Sequence, residues 1–143
     1  MEENKKNLVV LVVEDEKDLL DMYEQSFKTS GFDVIATNSG EQALKELEKT
    51  KNQIDVILLD LLLPGISGFE VLDIIRKKNA LKNIPVIVAS NLSENKDKER
   101  AFELGANEYF VKMDKTPSQI VKDVATICCS NNFQERKKVK IFN

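Results

Sequence analysis

The sequence predicts an α/β fold, a doubly wound parallel sheet of five strands with five flanking helices. Two observations lead there. Five short runs rich in Val, Ile and Leu lie near residues 8–13, 32–37, 54–59, 85–90 and 108–112, too continuous in apolar character for strands with a wet face. Each run is followed by a stretch whose apolar residues recur at helical spacing, and strict β-α alternation places helices on both faces of a parallel sheet.

The elements follow in order. The first run, Leu8-Val9-Val10-Leu11-Val12-Val13, ends at Glu14-Asp15, and Leu19, Leu20, Tyr23 and Phe27 mark one face of the helix after it. Gly31 stands where that helix should stop. The second run blurs at Thr37-Asn38, then Ser39-Gly40-Glu41-Gln42 matches a capping box ahead of Ala43, Leu44 and Leu47. The third run ends at Asp60, and Val71, Leu72 and Ile75 mark its helix. The fourth, Pro85 to Ser90, precedes Ala101, Phe102 and Leu104, with Ser93 the better candidate cap and Gly105 the stop. The fifth run, blurred at Asn107-Glu108, includes Lys112. Thr116-Pro117-Ser118-Gln119 then starts a helix carrying Ile120, Val121, Val124 and Ile127, with Pro117 at its first position.

A chain of 143 residues with 31% charged and 42% apolar residues fits one compact domain. Its net charge is −3, divided between a body of −6 and a tail from Ser130 of +3, so neither part reads as a general nucleic-acid binder. No apolar run approaches a membrane span and no signal peptide is recognisable, which makes the cytoplasm the expected compartment. Cys128 and Cys129 are adjacent, where a mutual disulfide would be strained; one packed and one exposed thiol are expected. The chain has no His, which rules out His-based triads and His metal clusters.

Ligands of open α/β sheets gather at the carboxyl ends of the strands. Glu14, Asp15, Asp60 and Lys112 all fall there. Three carboxylates in one place repel one another, and a divalent cation of the Mg²⁺ type relieves that repulsion. A phosphorylated aspartate would also need a cation such as Lys112 and a hydroxyl donor, for which Ser90 stands at the end of the fourth run. Taken singly, each residue has an ordinary explanation: a loop acid, a helix cap, a surface lysine. Their joint placement at strand ends is the signal.

Four segments now stand out: Val-Val-Glu14-Asp15-Glu, Ile-Leu-Leu-Asp60-Leu-Leu-Leu-Pro64-Gly-Ile-Ser-Gly68, Val-Ala-Ser90, and Glu108-Tyr109-Phe-Val-Lys112. In this order they resemble the receiver domain of bacterial two-component response regulators, the CheY-like family. The resemblance covers about residues 8–129 and implies the strand order 2-1-3-4-5, with residues 1–129 as the receiver; the polar, basic composition from Ser130 makes 130–143 a flexible tail by expectation. It implies Asp60 as phosphoacceptor and Asp15 and Asp60 as direct Mg²⁺ ligands. Glu14 would act through water and Leu62 would offer its backbone carbonyl. Ser90 and Lys112 would contact the phosphoryl group, and Tyr109 would be the aromatic that follows phosphorylation, although packing alone also accounts for a half-buried Tyr there. The donor would be a histidine kinase or a phosphotransfer protein. No output-domain motif follows residue 129, so a protein target meeting the fourth helix, fifth strand and fifth helix is expected.

Two positions depart from the family pattern. Lys112 is followed by Met113 rather than Pro, and a cis bond without proline costs ~3–4 kcal/mol, so a trans bond is expected. Ser90 is followed by Asn91 where relatives carry Ala or Gly. Other classes fit less well. A phosphatase of the haloacid-dehalogenase type needs an acid two residues after its nucleophile, where Leu62 stands, and a nucleotide or flavin binder needs a Gly-rich loop where Glu14-Asp15-Glu16 would repel phosphate. A receiver-like module that only binds partners would have lost Asp60 or Lys112. The chain is thus expected to be a phosphoacceptor rather than an enzyme.

Overall fold

The computed structural model describes residues 7–50 and 53–130. Of the tail expected over 130–143, only Ser130 is among them; the rest lies outside the described residues. The elements are β1 (Val9–Val13), α1 (Lys17–Thr29), β2 (Asp33–Thr37), α2 (Gly40–Thr50), β3 (Val56–Leu59), α3 (Gly68–Lys77), β4 (Val86–Ser90), α4 (Asn95–Glu103), β5 (Glu108–Val111) and α5 (Pro117–Cys128), with one 3-10 turn at Lys112–Asp114. All strand pairs are parallel and the order is β2-β1-β3-β4-β5, as expected.

Residues of period two in the central strands separate into two cores. Leu11, Val13, Ile57, Leu59, Val86 and Val88 pack under Ala43, Leu47, Val71, Leu72, Ile75 and Ala101 of α2, α3 and α4. Val10, Val12, Val56, Leu58, Ile87 and Ala89 face Tyr23 and Phe27 of α1 and Ile120, Val121 and Val124 of α5. Both faces of β1, β3 and β4 are therefore dry, which is why these strands read as unbroken apolar runs.

Helix ends obey the local signals in most places. Gly31 and Gly105 take φ of 95° and 109°, and each follows a helix closed by paired backbone bonds, Gly31 to Lys28 and Phe32 to Phe27, Gly105 to Phe102 and Ala106 to Ala101. Thr116 and Gln119 form the full capping box with Pro117 in the first turn. At α2 only half of the box forms: Ser39 Oγ accepts the Gln42 amide, but the Gln42 side chain reaches the Asn38 amide instead. At α4 the cap is Glu94, not Ser93, and makes no side-chain cap bond; Ser93 lies one residue too early for its hydroxyl to serve. A third box, Ser67 with Glu70 at the start of α3, is complete and was legible as Ser-x-x-Glu before an apolar run.

Three other expectations need correction. Lys112 lies outside the fifth strand, in the 3-10 turn, because the chain turns there toward α5. The strands near 54 and 85 begin one or two residues later than their apolar runs. Phe102 is 46% exposed, since Ala101 alone on that turn of α4 is fully buried. Cys128 is buried and Cys129 exposed, as expected for one packed and one exposed residue. No helix among the described residues is long and apolar enough to cross a membrane.

Candidate functional site

Because all five strands run the same way, their carboxyl ends share one edge. Glu14 and Asp15 follow β1, Asp60 follows β3, Ser90 ends β4 and Lys112 follows β5. One oxygen from each of Glu14, Asp15 and Asp60 lies within 4.8 Å of the others. Glu14 and Asp60 are buried and Asp15 is exposed, so the cluster has a floor and an open rim.

Lys112 bridges the floor. Its Nζ lies 2.5 Å from Glu14 Oε1 and 2.9 Å from Asp60 Oδ2. The second oxygens also have donors: the Glu16 amide bonds Glu14 Oε2 at 3.0 Å, and the Leu62 amide bonds Asp60 Oδ1 at 3.2 Å. Burial pushes the Glu14 carboxyl above its ordinary value despite the opposing pull of Lys112. For Lys112, burial acts to lower the pKa, but hydrogen bonds to Asp60 and Glu14 outweigh it and the net direction is upward.

The loop after Asp60 is held from two sides. Gly68 packs so tightly that a Cβ there would overlap the Asp60 carbonyl oxygen, and its amide bonds the Leu61 carbonyl at 3.0 Å. Glu41, at the start of α2, accepts the Ile66 amide at 3.2 Å. Sequence reasoning missed Glu41, because 25 residues separate it from its partner and nothing local marks the contact.

Ser90 is fully buried, and its hydroxyl accepts the Leu92 amide at 3.3 Å. The Tyr109 hydroxyl donates to the Leu92 carbonyl at 2.6 Å, and its half-buried ring leans on Phe102. Burial and then the Asp97 charge push the Tyr109 phenol upward, with the Ser90 hydroxyl opposing. Ser90 and Tyr109 thus converge on Leu92 in the β4–α4 loop. No cis peptide occurs among the described residues, so Lys112-Met113 is trans, and Met113 is 75% exposed. Asn91 is exposed at the rim of a cleft that Lys112 and Met113 also line.

The donor set fits a divalent cation. Three carboxylates against one ammonium leave two formal negative charges, and oxygen donors of this kind suit hard cations.

Comparison with known proteins agrees with this geometry. The model of the response regulator receiver domain matches residues 10–125. The chain is 30% identical over 129 residues to the uncharacterized transcriptional regulatory protein YrkP of Bacillus subtilis, covering 90% of this chain and 53% of YrkP. It spans about half the length of the curated relatives it matches. Among solved structures, the Mn²⁺-bound response regulator Rcp1 has a TM-score of 0.76 at 29% identity, covering 87% of this chain and 96% of Rcp1. The phosphorylated cyanobacterial phytochrome response regulator RcpA has a TM-score of 0.74 at 29% identity, covering 85% of this chain and 91% of RcpA. The fold, the acidic cluster with its bridging lysine and the matched family model together place this chain in the response regulator receiver domain family, whose phosphorylation-controlled switches have a site of this type.

Proposed function

We propose that Asp60 accepts a phosphoryl group from a phosphohistidine on a histidine kinase or phosphotransfer protein. The observation that carries this reading is Lys112, held between Glu14 and Asp60 at the open end of the sheet. In the transfer, an Asp60 carboxylate oxygen attacks phosphorus in line, the P–N bond breaks, and its electron pair returns to the donor imidazole. Lys112 follows the charge as it moves from the carboxylate to the phosphoryl oxygens. Asp15 and Asp60 would hold Mg²⁺ directly, Glu14 through water, and the Leu62 carbonyl would complete the protein's share. Bound there, Mg²⁺ supplies the charge neutralisation that brings an anionic donor to three carboxylates.

Readout would pass through Ser90 and Tyr109. Both already contact Leu92, so a phosphoryl oxygen drawing on the Ser90 hydroxyl would loosen the β4–α4 loop and the Tyr109 anchor. The face of α4, β5 and α5, where Phe102 is exposed, is the proposed meeting place for a target protein. Residues 1–129 form the receiver unit in this reading, residues 130–143 a basic tail, and the cytoplasm the compartment.

Labelling with acetyl phosphate, followed by intact-mass and peptide mass spectrometry, tests the proposal. One phosphoryl group on Asp60 is expected with Mg²⁺, and none in Asp60→Asn or with the metal chelated. Undiminished labelling of Asp60→Asn would remove the assignment.

A further inference from the structure

The loop from Leu62 to Ser67 joins the phosphoacceptor end of β3 to α3, and its backbone is held unevenly. Leu62, Pro64 and Gly65 are exposed, while Leu63 and Ile66 pack half-buried against the core. The base is closed by the Gly68 amide on the Leu61 carbonyl at 3.0 Å. Leu62 gives its amide to Asp60 Oδ1 and Ser67 gives its amide to Glu70 Oε1, so each end leans on its own element. Pro64 has no amide hydrogen to offer, and Gly65, at φ 74°, is the softest joint of the loop because a residue without Cβ rotates most freely.

The amide just after that joint is fixed from outside the loop. Glu41 Oε2, on the first turn of α2, accepts the Ile66 N–H at 3.2 Å. Two glycines permit the approach. A Cβ on Gly65 would lie 2.5 Å from Glu41 Oε2, and a Cβ on the buried Gly40 would lie 2.7 Å from Ile66 Cγ1 and 2.6 Å from Val71 Cγ2. The start of α2 is therefore pressed against the far side of the loop, with no room for a side chain on either glycine. Packing of the Leu63 and Ile66 side chains leaves the peptide planes between them free to turn, whereas a hydrogen bond to the Ile66 amide fixes one of them.

We propose that Glu41 is a positioning residue for the acidic cluster: by holding the Gly65–Ile66 peptide it fixes the loop that carries Leu62, and so sets the affinity of the cluster for Mg²⁺. Glu41 is not one of the three clustered carboxylates, so it acts through the backbone of residues 62–66. Outer partners that orient a metal ligand are typically worth about 10–100-fold in metal affinity. This inference rests on the proposed role of the Leu62 carbonyl as a ligand.

The test is Mg²⁺ titration of the full chain as wild type, Glu41→Ala and Glu41→Gln, followed by NMR of the Ile66 amide and the ¹³C-labelled Leu62 carbonyl. Glu41 is exposed, so neither change opens the core. Glu41→Ala should bind Mg²⁺ about 10-fold more weakly, the lower end for loss of an outer partner, with faster hydrogen exchange at Ile66. Glu41→Gln keeps an acceptor oxygen at the same reach without the charge, and should recover most of the wild-type affinity. Wild-type affinity in Glu41→Ala would overturn the inference. A Glu41→Gln variant as weak as Glu41→Ala would overturn it too, since the loss would then belong to the charge and not to the hydrogen bond. A wild-type Leu62 carbonyl whose signal does not shift as Mg²⁺ binds would instead remove the proposed ligand, so the two failures are distinguishable.

Discussion

The two edges of the sheet treat charge in opposite ways. At the amino edge, Arg76 of α3 donates to the carbonyls of Gly105, Lys82 and Ile84 and to Asn107 Oδ1, at 2.7 to 3.2 Å. Asn107 Oδ1 also accepts the Val86 amide, and Asp55 Oδ2 accepts the Val9 amide, each at 2.8 Å, so side chains finish the ladders where strands begin. Each of these acceptors of Arg76 is a neutral oxygen. At the carboxyl edge, Glu14 and Asp60 share one lysine, Glu14 is raised by burial, and the Tyr23 hydroxyl has no protein partner. A saturated network stabilises, and an incompletely matched one is poised to exchange ligands.

That contrast can be broken at its strongest point. Lys112→Met should lower Asp60 labelling by ~10²–10³-fold, the usual cost of deleting one preorganised charge-stabilising donor. Wild-type rates in that variant would mean that Lys112 is only a structural counter-charge. The next effect concerns the lifetime of the product. Leu62 is 54% exposed and Leu92 half-buried, and neither side chain can orient an attacking water, so slow self-dephosphorylation is expected. Leu62→Asn with Leu92→Glu should speed hydrolysis by ~10²-fold or more where geometry is good, read as loss of label with time after donor removal. An unchanged rate would show that the two leucines do not control water.

At the amino edge the prediction is of stability alone. Arg76→Ala leaves carbonyls unmatched and should cost about 2–3 kcal/mol, visible as a lower urea midpoint. Labelling of Asp60 in the folded fraction should not change. A loss of labelling there would mean that the edges are coupled through α3.

The smallest effect is one of pH. The folded state binds the Glu14 proton more tightly than the unfolded state does, since its pKa lies above 4.5. Stability should therefore fall as pH rises from the ordinary carboxylate value through the raised one, and then level off. Lys112, raised from 10.5, adds a loss only as pH climbs above that value. Comparing urea midpoints of wild type and Glu14→Gln across this range should show the first slope in wild type alone. Equal slopes would place the titration elsewhere.

Much of this molecule is legible one residue after another. Apolar runs, helical spacing, the Thr116 box and the glycines after α1 and α4 are local, because backbone conformation and periodicity are set by near neighbours. Strand ends then bring Glu14, Asp15, Asp60 and Lys112 to one edge, since parallel strands leave no other choice. The sequence by itself thus determined the alternation, the polarity of the sheet and the members of the acidic site. The tertiary structure alone decided what each group meets. Lys112 takes Glu14 as well as Asp60, Ser90 and Tyr109 share Leu92, and Glu41 holds the loop after Asp60. Apart from Ser90 and Leu92, which are two residues apart, those partners lie 17 to 98 residues apart in the contacts that join them. Hydrogen bonds and burial depend on distance in space, which no periodicity along the chain encodes.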